Sequence, residues 1–373
     1  MSNTTSGYDT VIIGGGQAGL STGYYLQQQG RDFVILDANE RIGAAWRKRW
    51  DSLRLFTPAR YSGLPGMAFP APAQTWPTKD ETADYLEAYT RRFKLPVRSG
   101  IQVDRLARQG DRFVVTAGDR RFAAENVVVA TGSYHRPNIP AFAAELKPDI
   151  RQLHSNEYRR PSQLQAGTVL VVGAANSGAE IALELSRSHE VWLSGRHPGS
   201  EPTRAGGPAD RLIAPLIWFV FSKVMTVNTP IGRKAAAQLR GHGLPLARVK
   251  PADLQAAGVE RVYPRTVGVR DGLPLLEDGR SLDVTNVIWC TGFRPDYGWI
   301  DLPVFDDDGE PRHERGVVVS EPGLYFVGLF FQSAATSSLV GGVGRDAVYI
   351  TDKIAARSAA MTAATAAPPL AAS

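Results

Sequence analysis

Three glycines and one aspartate near the start of the chain have the spacing of a dinucleotide-binding site. Gly14, Gly16 and Gly19 come close together, and Asp37 follows about 20 residues later. In such a pattern the first glycine makes a tight turn, the second lets backbone approach a pyrophosphate, and the third lets a helix pack on a strand. A carboxylate at Asp37 can accept hydrogen bonds from ribose hydroxyls and would repel a ribose phosphate. This stretch, residues 8–37, is called the first unit, and its predicted ligand is FAD or NAD rather than NADP.

The residues around these glycines predict the elements that position them. The apolar run Thr10–Ile13 predicts a buried strand, an amphipathic helix ends near Gly30, and Phe33–Leu36 predicts a second strand. The helix N-terminus offers unpaired N–H groups and a partial positive charge to phosphates, which adds Gln17 and Ala18 to the predicted site. The whole stretch therefore predicts a βαβ nucleotide-binding unit.

A second unit, residues 168–196, repeats this layout with two differences. Ala175 stands at the second glycine position, so its Cβ lies where a pyrophosphate should approach. Arg196 follows the second strand in place of an acid, and a guanidinium suits a ribose 2′-phosphate. The unit is either an NADP site with a flaw or one that has lost its nucleotide. The residues predicted to hold the nucleotide are Gly173, Asn176, Ser177, Gly178 and Arg196.

Composition limits the class of protein. A chain of 373 residues, 43% hydrophobic and 21% charged, can form two domains and is typical of a soluble globular protein. The net charge of +5 is modest, and no nucleic-acid-binding module is visible, so no nucleic-acid partner is expected. Cys290 is the single cysteine, which excludes an internal disulfide and fits a reducing cytoplasm. The first residues lack an apolar signal region, so a cytoplasmic location is predicted.

The remaining segments predict further elements. A helix with a capping box is expected over Thr78–Phe93, and an antiparallel meander over Leu95–Phe122. The buried strands Asn126–Ala130 and Val284–Trp289 each end in Thr-Gly, which suggests two crossings between domains. The second of these strands is expected to return the chain to the first domain.

The apolar run Leu212–Val227 is too short to span a membrane and is interrupted by Pro215 and Lys223. It could form a buried helix, a subunit contact, a substrate-tunnel wall or a monotopic membrane patch. We favour burial or a subunit contact, and so a possible homo-oligomer through residues 212–227.

Several motifs occur together in the order seen in flavin-containing monooxygenases, and the chain resembles this family over nearly its whole length outside residues 201–282. It looks most like the bacterial branch labelled as cation-efflux or potassium-transport flavoproteins, and it is similar to the plant auxin-forming monooxygenases. The motifs are GGGQAGLS, GAAWRKRWDSLRL, ATGSYHRPNIP, QLHSNEYR, VVGAANSGAE, CTGFRPDYGWI and PGLYFVGL…GGVGRDA.

The resemblance implies an α/β fold with two Rossmann-like domains, in which an NADPH domain is inserted into an FAD domain. The expected segments are 1–150 and 284–356 for FAD, 151–283 for NADPH, and a disordered tail over 357–373. It also implies the chemistry: NADPH reduces the flavin, oxygen adds to give a flavin hydroperoxide, and a small organic substrate, a soft nucleophile or a carbonyl compound, takes one oxygen atom. No metal site is expected.

By position, the resemblance adds residues to both sites. Trp46 would lie near the flavin, the backbone of Val103 would meet the adenine, and Thr131 and Gly132 would line the FAD side of the linker. Gly328 and Gln332 stand where a second helix N-terminus could face the cofactor. The candidate catalytic residues are His154, Tyr158 and Thr57, of which the first two match the end of a family signature.

Three other functions compete with monooxygenation. A pyridine nucleotide–disulfide reductase needs two redox cysteines, and the single Cys290 excludes that version. A flavoprotein oxidase or reductase without oxygen insertion is favoured by Ala175. A regulatory flavin-binding module without turnover rests on the same substitution alone.

Overall fold

The computed structural model describes residues 5–201, 206–242 and 245–366. The first part of the chain alternates strands and helices and ends in three long antiparallel strands. Its elements are β1 (Thr5–Ile13), α1 (Gln17–Gln28), β2 (Phe33–Leu36), α2 (Ala44–Arg47), α3 (Lys79–Phe93), β3 (Val97–Arg98), β4 (Arg105–Gln109), β5 (Arg112–Ala117), β6 (Arg120–Val129) and β7 (Arg136–Pro137).

The second part holds another strand–helix–strand unit, a helical insert and the return to the first sheet. Its elements are β8 (Arg151–His154), β9 (Thr168–Val172), α4 (Asn176–Leu185), β10 (Glu190–Ser194), α5 (Pro208–Phe219), α6 (Pro230–His242), α7 (Pro251–Ala256), β11 (Glu260–Val262), β12 (Thr266–Arg270), β13 (Leu273–Leu276), β14 (Asn286–Trp289), β15 (Phe293–Arg294), β16 (Leu324–Phe326) and α8 (Gly344–Ala366). A π-helical turn, Val220–Val224, continues α5.

The first sheet combines a parallel core with an antiparallel extension. Strands β3, β2, β1, β6 and β16 pair in parallel, and β4 and β5 extend the sheet from β6 as the predicted meander. The core strand β2 is buried throughout, as its apolar residues require. Helix α3 begins with the predicted capping box between Thr78 and Glu81. The predicted strands, the helix with its capping box and the antiparallel pairing of β4, β5 and β6 are confirmed, but β3, at the start of the range predicted for the meander, pairs in parallel with β2.

The second sheet is entirely parallel, in the order β11-β10-β9-β14-β8. Strand β14 pairs with both β9 and β8, so it completes this sheet rather than returning the chain to the first one. The predicted return at residue 284 is therefore wrong, because this apolar strand is buried inside the second sheet, between β9 and β8. The crossing follows β14, where β15 pairs with β7 in a two-stranded antiparallel ribbon. The fold is the predicted one: α/β with two Rossmann-like units.

Two predictions about helices are corrected by the structure. Helix α8 extends to Ala366, so residues 357–366 are helical rather than part of a disordered tail. Alanine is the strongest helix former, which explains why an alanine-rich segment continues the helix. Residues 367–373 lie outside the described part of the chain. In the segment 212–227, Leu212 and Leu216 are exposed, so burial of that whole segment is also wrong.

Among the described residues, no helix has both the length and the apolar character needed to cross a membrane.

Candidate nucleotide-binding sites and the cavity between them

The first and third glycines of the first unit occupy positions where no side chain fits. Gly14 has φ +112°, and a Cβ added to it would lie 2.5 Å from the carbonyl oxygen of Ala130. A Cβ on Gly19 would lie 1.9 Å from the carbonyl oxygen of Gly14. The sequence therefore uses glycine here because β1, α1 and the end of β6 meet at backbone contact distance.

Asp37 is fixed at the end of β2 by backbone and side-chain donors. Its carboxylate accepts hydrogen bonds from Gly15 N at 2.6 Å and from Asn39 N at 2.8 Å, and the residue is only 8% exposed. A carboxylate has about four lone-pair sites, so capacity remains for ribose hydroxyls. This is the geometry that the predicted role of Asp37 requires.

Open space remains between α1 and the end of β6. A Cβ placed on Gly16 or Gly132 would meet no atom within 4 Å. The Thr131 hydroxyl is buried and has no hydrogen-bond partner among the described residues. Gln17 and Ala18 open α1, so their backbone N–H groups face the same space. A free hydroxyl and a glycine-lined gap at a helix N-terminus fit a pyrophosphate-bearing cofactor.

The second unit reproduces this backbone closely. Gly173 has φ +108°, and a Cβ added to it would lie 2.3 Å from the carbonyl oxygen of Cys290. A Cβ on Gly178 would lie 1.8 Å from the carbonyl oxygen of Gly173. Strand β14 pairs with β9 of the second unit, just as β6 pairs with β1 of the first. Cys290-Thr291-Gly292 after β14 therefore corresponds to Ala130-Thr131-Gly132 after β6.

Ala175 adopts the conformation of its glycine counterpart. It caps α4 with φ −79° and ψ −172°, whereas Gly16 caps α1 with φ −79° and ψ −173°. The alanine is therefore unstrained, because any residue adopts these angles. Its only effect is to add one methyl group to the face where a pyrophosphate would approach.

Cationic side chains surround the end of β10. Arg196 is 64% exposed, and its guanidinium lies 3.9 Å from the carboxylate of Glu277, which also lies 3.5 Å from Arg265. Arg261 donates hydrogen bonds to the carbonyl oxygens of Leu193 and Gly195. The first unit has a buried carboxylate at the matching point. The second has an exposed guanidinium, which is the predicted arrangement for a 2′-phosphate.

Asn176 has an internal role that the sequence did not indicate. Its side chain donates to the carbonyl oxygen of Pro245 at 3.0 Å and accepts from Ala247 N at 3.0 Å. It thereby holds the segment that follows α6 against the N-terminus of α4. Ser177 lies half-buried in the first turn of α4, where its backbone N–H can still face a phosphate.

The other predicted FAD residues lie around the first unit. Trp46 is half-buried between the first core and the core of the second sheet, and Val103 is buried in the first sheet. Gly328 has φ +90°, and a Cβ on it would lie 2.9 Å from that of Ala18. Gln332 is buried and accepts from Gly328 N at 3.0 Å while donating to Phe326 O at 2.9 Å. Gln332 therefore fixes the turn at Gly328 through internal hydrogen bonds.

Two of the three candidate catalytic residues, His154 at the end of β8 and Tyr158 in the loop that follows, are buried and hydrogen-bonded to other protein groups. His154 Nδ1 accepts from Asn156 N at 3.1 Å, so the neutral ring donates from Nε2 to Gly292 O at 3.0 Å. Burial lowers the pKa of His154. The Tyr158 hydroxyl donates to Glu184 at 2.8 Å, and burial, with this contact, raises the pKa of Tyr158. These placements argue for positioning roles, with His154 holding the crossing after β14.

The third candidate, Thr57, lines a cavity formed by residues 56–76, the start of α4, α5 with its π-helical turn, and the loop before α8. The cavity has a volume of about 100 Å³. Thr57 shares a hydrogen bond of 2.9 Å with the Ser62 hydroxyl, and the rings of Tyr61 and Trp218 stack with centroids 4.8 Å apart. Among the described residues that line it, five are aromatic and one, Glu201, is charged. The aromatic residues are Phe56, Tyr61, Trp76, Trp218 and Phe221.

Sequence reasoning missed Glu180 on α4. It is 8% exposed, its carboxylate lies 3.2 Å from Arg248, and burial raises its pKa to about 7, an effect that Arg248 partly opposes. A sequence signal did exist, since Glu180 lies four residues after Asn176 and therefore on the same helix face. Its partner lies far along the chain, and pattern reasoning could not have located it.

Comparisons with known proteins agree with this architecture. A model of the pyridine nucleotide-disulphide oxidoreductase family matches residues 11–225. An oxidoreductase described as CzcO-like from Geobacillus kaustophilus is 42% identical, over 93% of this chain and 98% of its own. A flavin-containing monooxygenase structure from Stenotrophomonas maltophilia is 30% identical, with a TM-score of 0.77 over 95% of this chain and 99% of that one. The probable indole-3-pyruvate monooxygenase YUCCA1 of Arabidopsis thaliana is 33% identical, over 92% of this chain and 89% of its own.

The chain belongs to the pyridine nucleotide-disulphide oxidoreductase family. Within it, the chain is a flavin-dependent monooxygenase of the CzcO-like bacterial branch, with FAD and NADPH as its cofactors, as the resemblance implied. The disulphide chemistry in the family's description does not extend to this chain, because a dithiol site needs a second cysteine. Burial moreover raises the pKa of the Cys290 thiol to about 12.

Proposed function

We propose that this monooxygenase inserts one oxygen atom into a small, mostly apolar substrate bound in the cavity at Thr57. The supporting observation is that residues 56–76, the start of α4 and helix α5 converge on this cavity. Asn176, at the start of α4, and Ala335, in the loop before α8, both line it. Apolar surfaces with few polar groups are typical of small-molecule sites.

For FAD, we propose that Gly14, Gly16 and Gly19 let α1 approach the pyrophosphate and that Asp37 holds a ribose. Thr131 has a free buried hydroxyl to donate or accept toward the cofactor. Gln17, Ala18, Trp46, Val103, Gly132, Gly328 and Gln332 complete the proposed site, the last by fixing the turn at Gly328. The corresponding domain would take its second segment from the crossing after β14 onward.

For NADPH, we propose that Gly173, Ser177 and Gly178 face the pyrophosphate and Arg196 the 2′-phosphate. Asn176 would act indirectly, by holding Pro245 and Ala247 at the cavity wall. When bound, the two cofactors supply the hydride and activate oxygen. The residues of this chain supply binding, orientation and exclusion of water.

The cavity lining restricts the substrate. Tyr61 and Trp218 stack within the lining and offer flat apolar surfaces to a planar group. A cavity of about 100 Å³ is smaller than the roughly 300 Å³ at which ligand pockets usually begin. A soft nucleophile or carbonyl compound carrying a compact apolar or aromatic group fits these limits. The plant relative's name includes indole-3-pyruvate, which is an aromatic carbonyl compound.

One observation favours a second candidate, an FAD-dependent oxidase or reductase without oxygen insertion. The methyl group of Ala175 occupies the pyrophosphate-facing position of the second unit. If it weakens or prevents nucleotide binding, the electrons come from another donor. The same experiment separates the two candidates.

The experiment is an anaerobic titration of the flavin-loaded protein with NADPH, and separately with NADH, followed by mixing with oxygen. Bleaching of the flavin by NADPH, then a transient absorption band distinct from both oxidised and reduced flavin, supports the monooxygenase proposal. Direct return to oxidised flavin, with candidate substrates present, supports an oxidase. No bleaching by either nucleotide supports a lost second site.

A pair of variants tests the cavity. Ala214→Phe fills it from α5, whereas Leu212→Phe adds the same ring on the exposed side of that helix. We expect the first variant to retain flavin reduction by NADPH but to lose oxygenated product. The second should behave as the parent. Equal product formation by both variants would exclude this cavity as the substrate site.

A further inference from the structure

Helix α5 is apolar on two opposite sides. Ala214, Ile217 and Trp218 line the cavity, and Phe221 continues this side into the π-helical turn. Leu212, Leu216 and Phe219 follow one another at helical spacing on the other side. A helix that is apolar all round is normally buried, so the second side calls for a covering surface.

That second side is open to solvent among the described residues. Leu212 is 82% exposed, Leu216 61% and Phe219 55%, and Pro215 between them is also exposed. Isolated exposed apolar residues are ordinary, but a row of large ones along a helix indicates an interaction surface. We call this row, Leu212, Pro215, Leu216 and Phe219, the outer face of α5.

Positive charge is concentrated in the segment of chain that carries the outer face. The sequence of residues 206–242 contains five basic residues and one acidic residue, Asp210, whereas the whole chain has 42 basic and 37 acidic residues. Arg211 precedes the outer face and Lys223 follows it, and both are exposed. Arg233 and Lys234 are exposed at the start of α6. One tenth of the chain therefore carries most of its excess positive charge.

We propose that the outer face of α5 docks onto an anionic phospholipid surface, with its apolar side chains among the upper acyl chains and the flanking cations at the headgroups. Large exposed apolar residues beside basic ones, on a segment too short to span a bilayer, are the features of an interfacial helix. Each Lys or Arg near an anionic surface adds to the attraction.

The charges near the outer face favour an anionic lipid surface over a second copy of the chain as its partner. Symmetric pairing through α5 would bring Arg211 and Lys223 of one copy toward the same cationic segment of the other. Like charges at close range oppose such contact, whereas an anionic surface is complementary to them. The proposal does not depend on the proposed substrate, because membrane binding can be measured without turnover.

Docking would place the cavity next to the lipid surface. The residues between the outer face and the cavity belong to the same helix, so the cavity would lie directly above the lipid surface. An apolar substrate concentrated in a bilayer would then be close to its binding site.

The test is sedimentation of the flavin-loaded full chain with vesicles. One set contains phosphatidylcholine alone and the other phosphatidylcholine with phosphatidylglycerol. We expect binding to the second set and much weaker binding to the first. Binding should fall in about 1 M NaCl, where the Debye length is about 3 Å.

Two variants separate the apolar and ionic contributions. Leu212→Ser with Leu216→Ser should weaken vesicle binding at least about tenfold, since two leucines lose their place in the acyl region. The control is Val319→Ser, which removes an apolar residue that is 63% exposed elsewhere. Arg211→Gln with Lys223→Gln should weaken binding about fivefold for each cation removed. Its control is the pair Arg120→Gln and Arg121→Gln, which are exposed at the start of β6.

Flavin absorbance and thermal unfolding of every variant show whether it is folded. Light scattering after size-exclusion chromatography reports the oligomeric state in the same samples. A failure of the parent to bind phosphatidylglycerol vesicles would overturn the proposal. Vesicle binding that is unchanged in the leucine variants would also overturn it. So would the finding that the parent is a dimer, dissociated by those variants, and does not bind vesicles.

Discussion

The first and second units build the same backbone and place opposite chemistry on it. In both units the first glycine has a φ near +110°. A Cβ added to the third glycine would lie less than 2 Å from the carbonyl oxygen of the first. At the end of the second strand, however, Asp37 is buried and held by two backbone N–H groups, whereas Arg196 is exposed. The helix caps differ by one methyl group, Gly16 against Ala175.

This difference separates two kinds of constraint. The first and third glycines are fixed by contacts between backbone atoms, which every such unit shares. A Cβ at the Gly16 cap would meet no atom within 4 Å, and the residue after the second strand is a buried carboxylate in one unit and an exposed guanidinium in the other. These two positions can therefore vary to select the ligand. Discrimination between nucleotides is therefore expected at these positions, while the glycines decide whether a unit forms at all.

The largest expected effects come from adding a methyl group at the third glycine of either unit. In Gly19→Ala and Gly178→Ala the new Cβ would lie within 2 Å of a carbonyl oxygen, so the helix must move off the strand. Overpacking of this kind costs about 1–3 kcal/mol or more. Gly19→Ala should purify without FAD. Gly178→Ala should retain FAD but lose bleaching by NADPH. Absorbance spectra before and after anaerobic addition of NADPH measure both.

Gly298→Ala is the matched control for these variants. Its Cβ would meet its nearest neighbour at 3.6 Å, an ordinary contact. It should behave as the parent. If Gly178→Ala also emptied the FAD site, the two units would not be separable and the comparison between them would fail.

The next effect concerns nucleotide selection. Arg196→Ala removes the guanidinium at the end of β10, and with it the preference for a 2′-phosphate over a hydroxyl. We expect the ratio of kcat/KM for NADPH to that for NADH to fall about tenfold, the change of about 1.4 kcal/mol typical of a charge-assisted contact. Arg187→Ala, an exposed change in the same domain, controls for net charge. An unchanged ratio would remove Arg196 from the site.

Glu180 should make the stability of the second unit depend on pH. The first unit has the uncharged, buried Ser21 at the corresponding position of α1. Burial raises the pKa of Glu180 from 4.5 to about 7, so between these values the folded state binds more protons than the unfolded state. The free energy of unfolding from this group therefore falls as pH rises through that range. Glu180→Gln should be more stable relative to the parent at pH 8 than at pH 5, by about 2 kcal/mol, because the pKa of about 7 already includes the Arg248 contact.

Urea unfolding of parent and variant at both pH values measures this difference. The exposed Glu190→Gln in β10 corrects for the loss of one acidic side chain. A stability difference for Glu180→Gln that does not change with pH would contradict the raised pKa.

The smallest expected effect is at the helix caps. Ala175→Gly should tighten NADPH binding a few-fold without changing the FAD content, because both residues fit the same backbone angles and only a methyl group is removed. Gly16→Ala is the reciprocal change and should weaken FAD binding to a similar degree. Titrations monitored by flavin absorbance compare the two. No gain from Ala175→Gly would show that the methyl group does not face the pyrophosphate.

Much of the fold follows from sequence because its signals are local. The glycine spacings, the buried strands β1 and β9 and the capping box at Thr78 each depend on neighbours along the chain. The sheet to which β14 belongs depends on its pairing with β8 and β9, more than 110 residues away. Its apolar residues predict a strand equally well in either sheet, which explains the incorrect return at residue 284.

The candidate site shows the same limit. Residue type and spacing located the glycines, Asp37 and Arg196. They did not show that Gln332 and Asn176 would use their amides on backbone groups of the protein, or that His154 and Tyr158 would be buried against partners elsewhere. The cavity joins residues from seven separate stretches of chain between residues 56 and 339, so no single stretch contained a signal for it.

The ribbon of β7 and β15 has a mechanical consequence. The two strands run side by side in opposite directions, and Asn138 N donates to Gly292 O at 3.0 Å beside them. Arg49 lies 5.4 Å from the centroids of both Tyr134 and Phe293, which come one from each crossing segment. Stretching one crossing segment or sliding it against the other would break these contacts together. We therefore expect the two crossings to move as one unit rather than as two independent linkers.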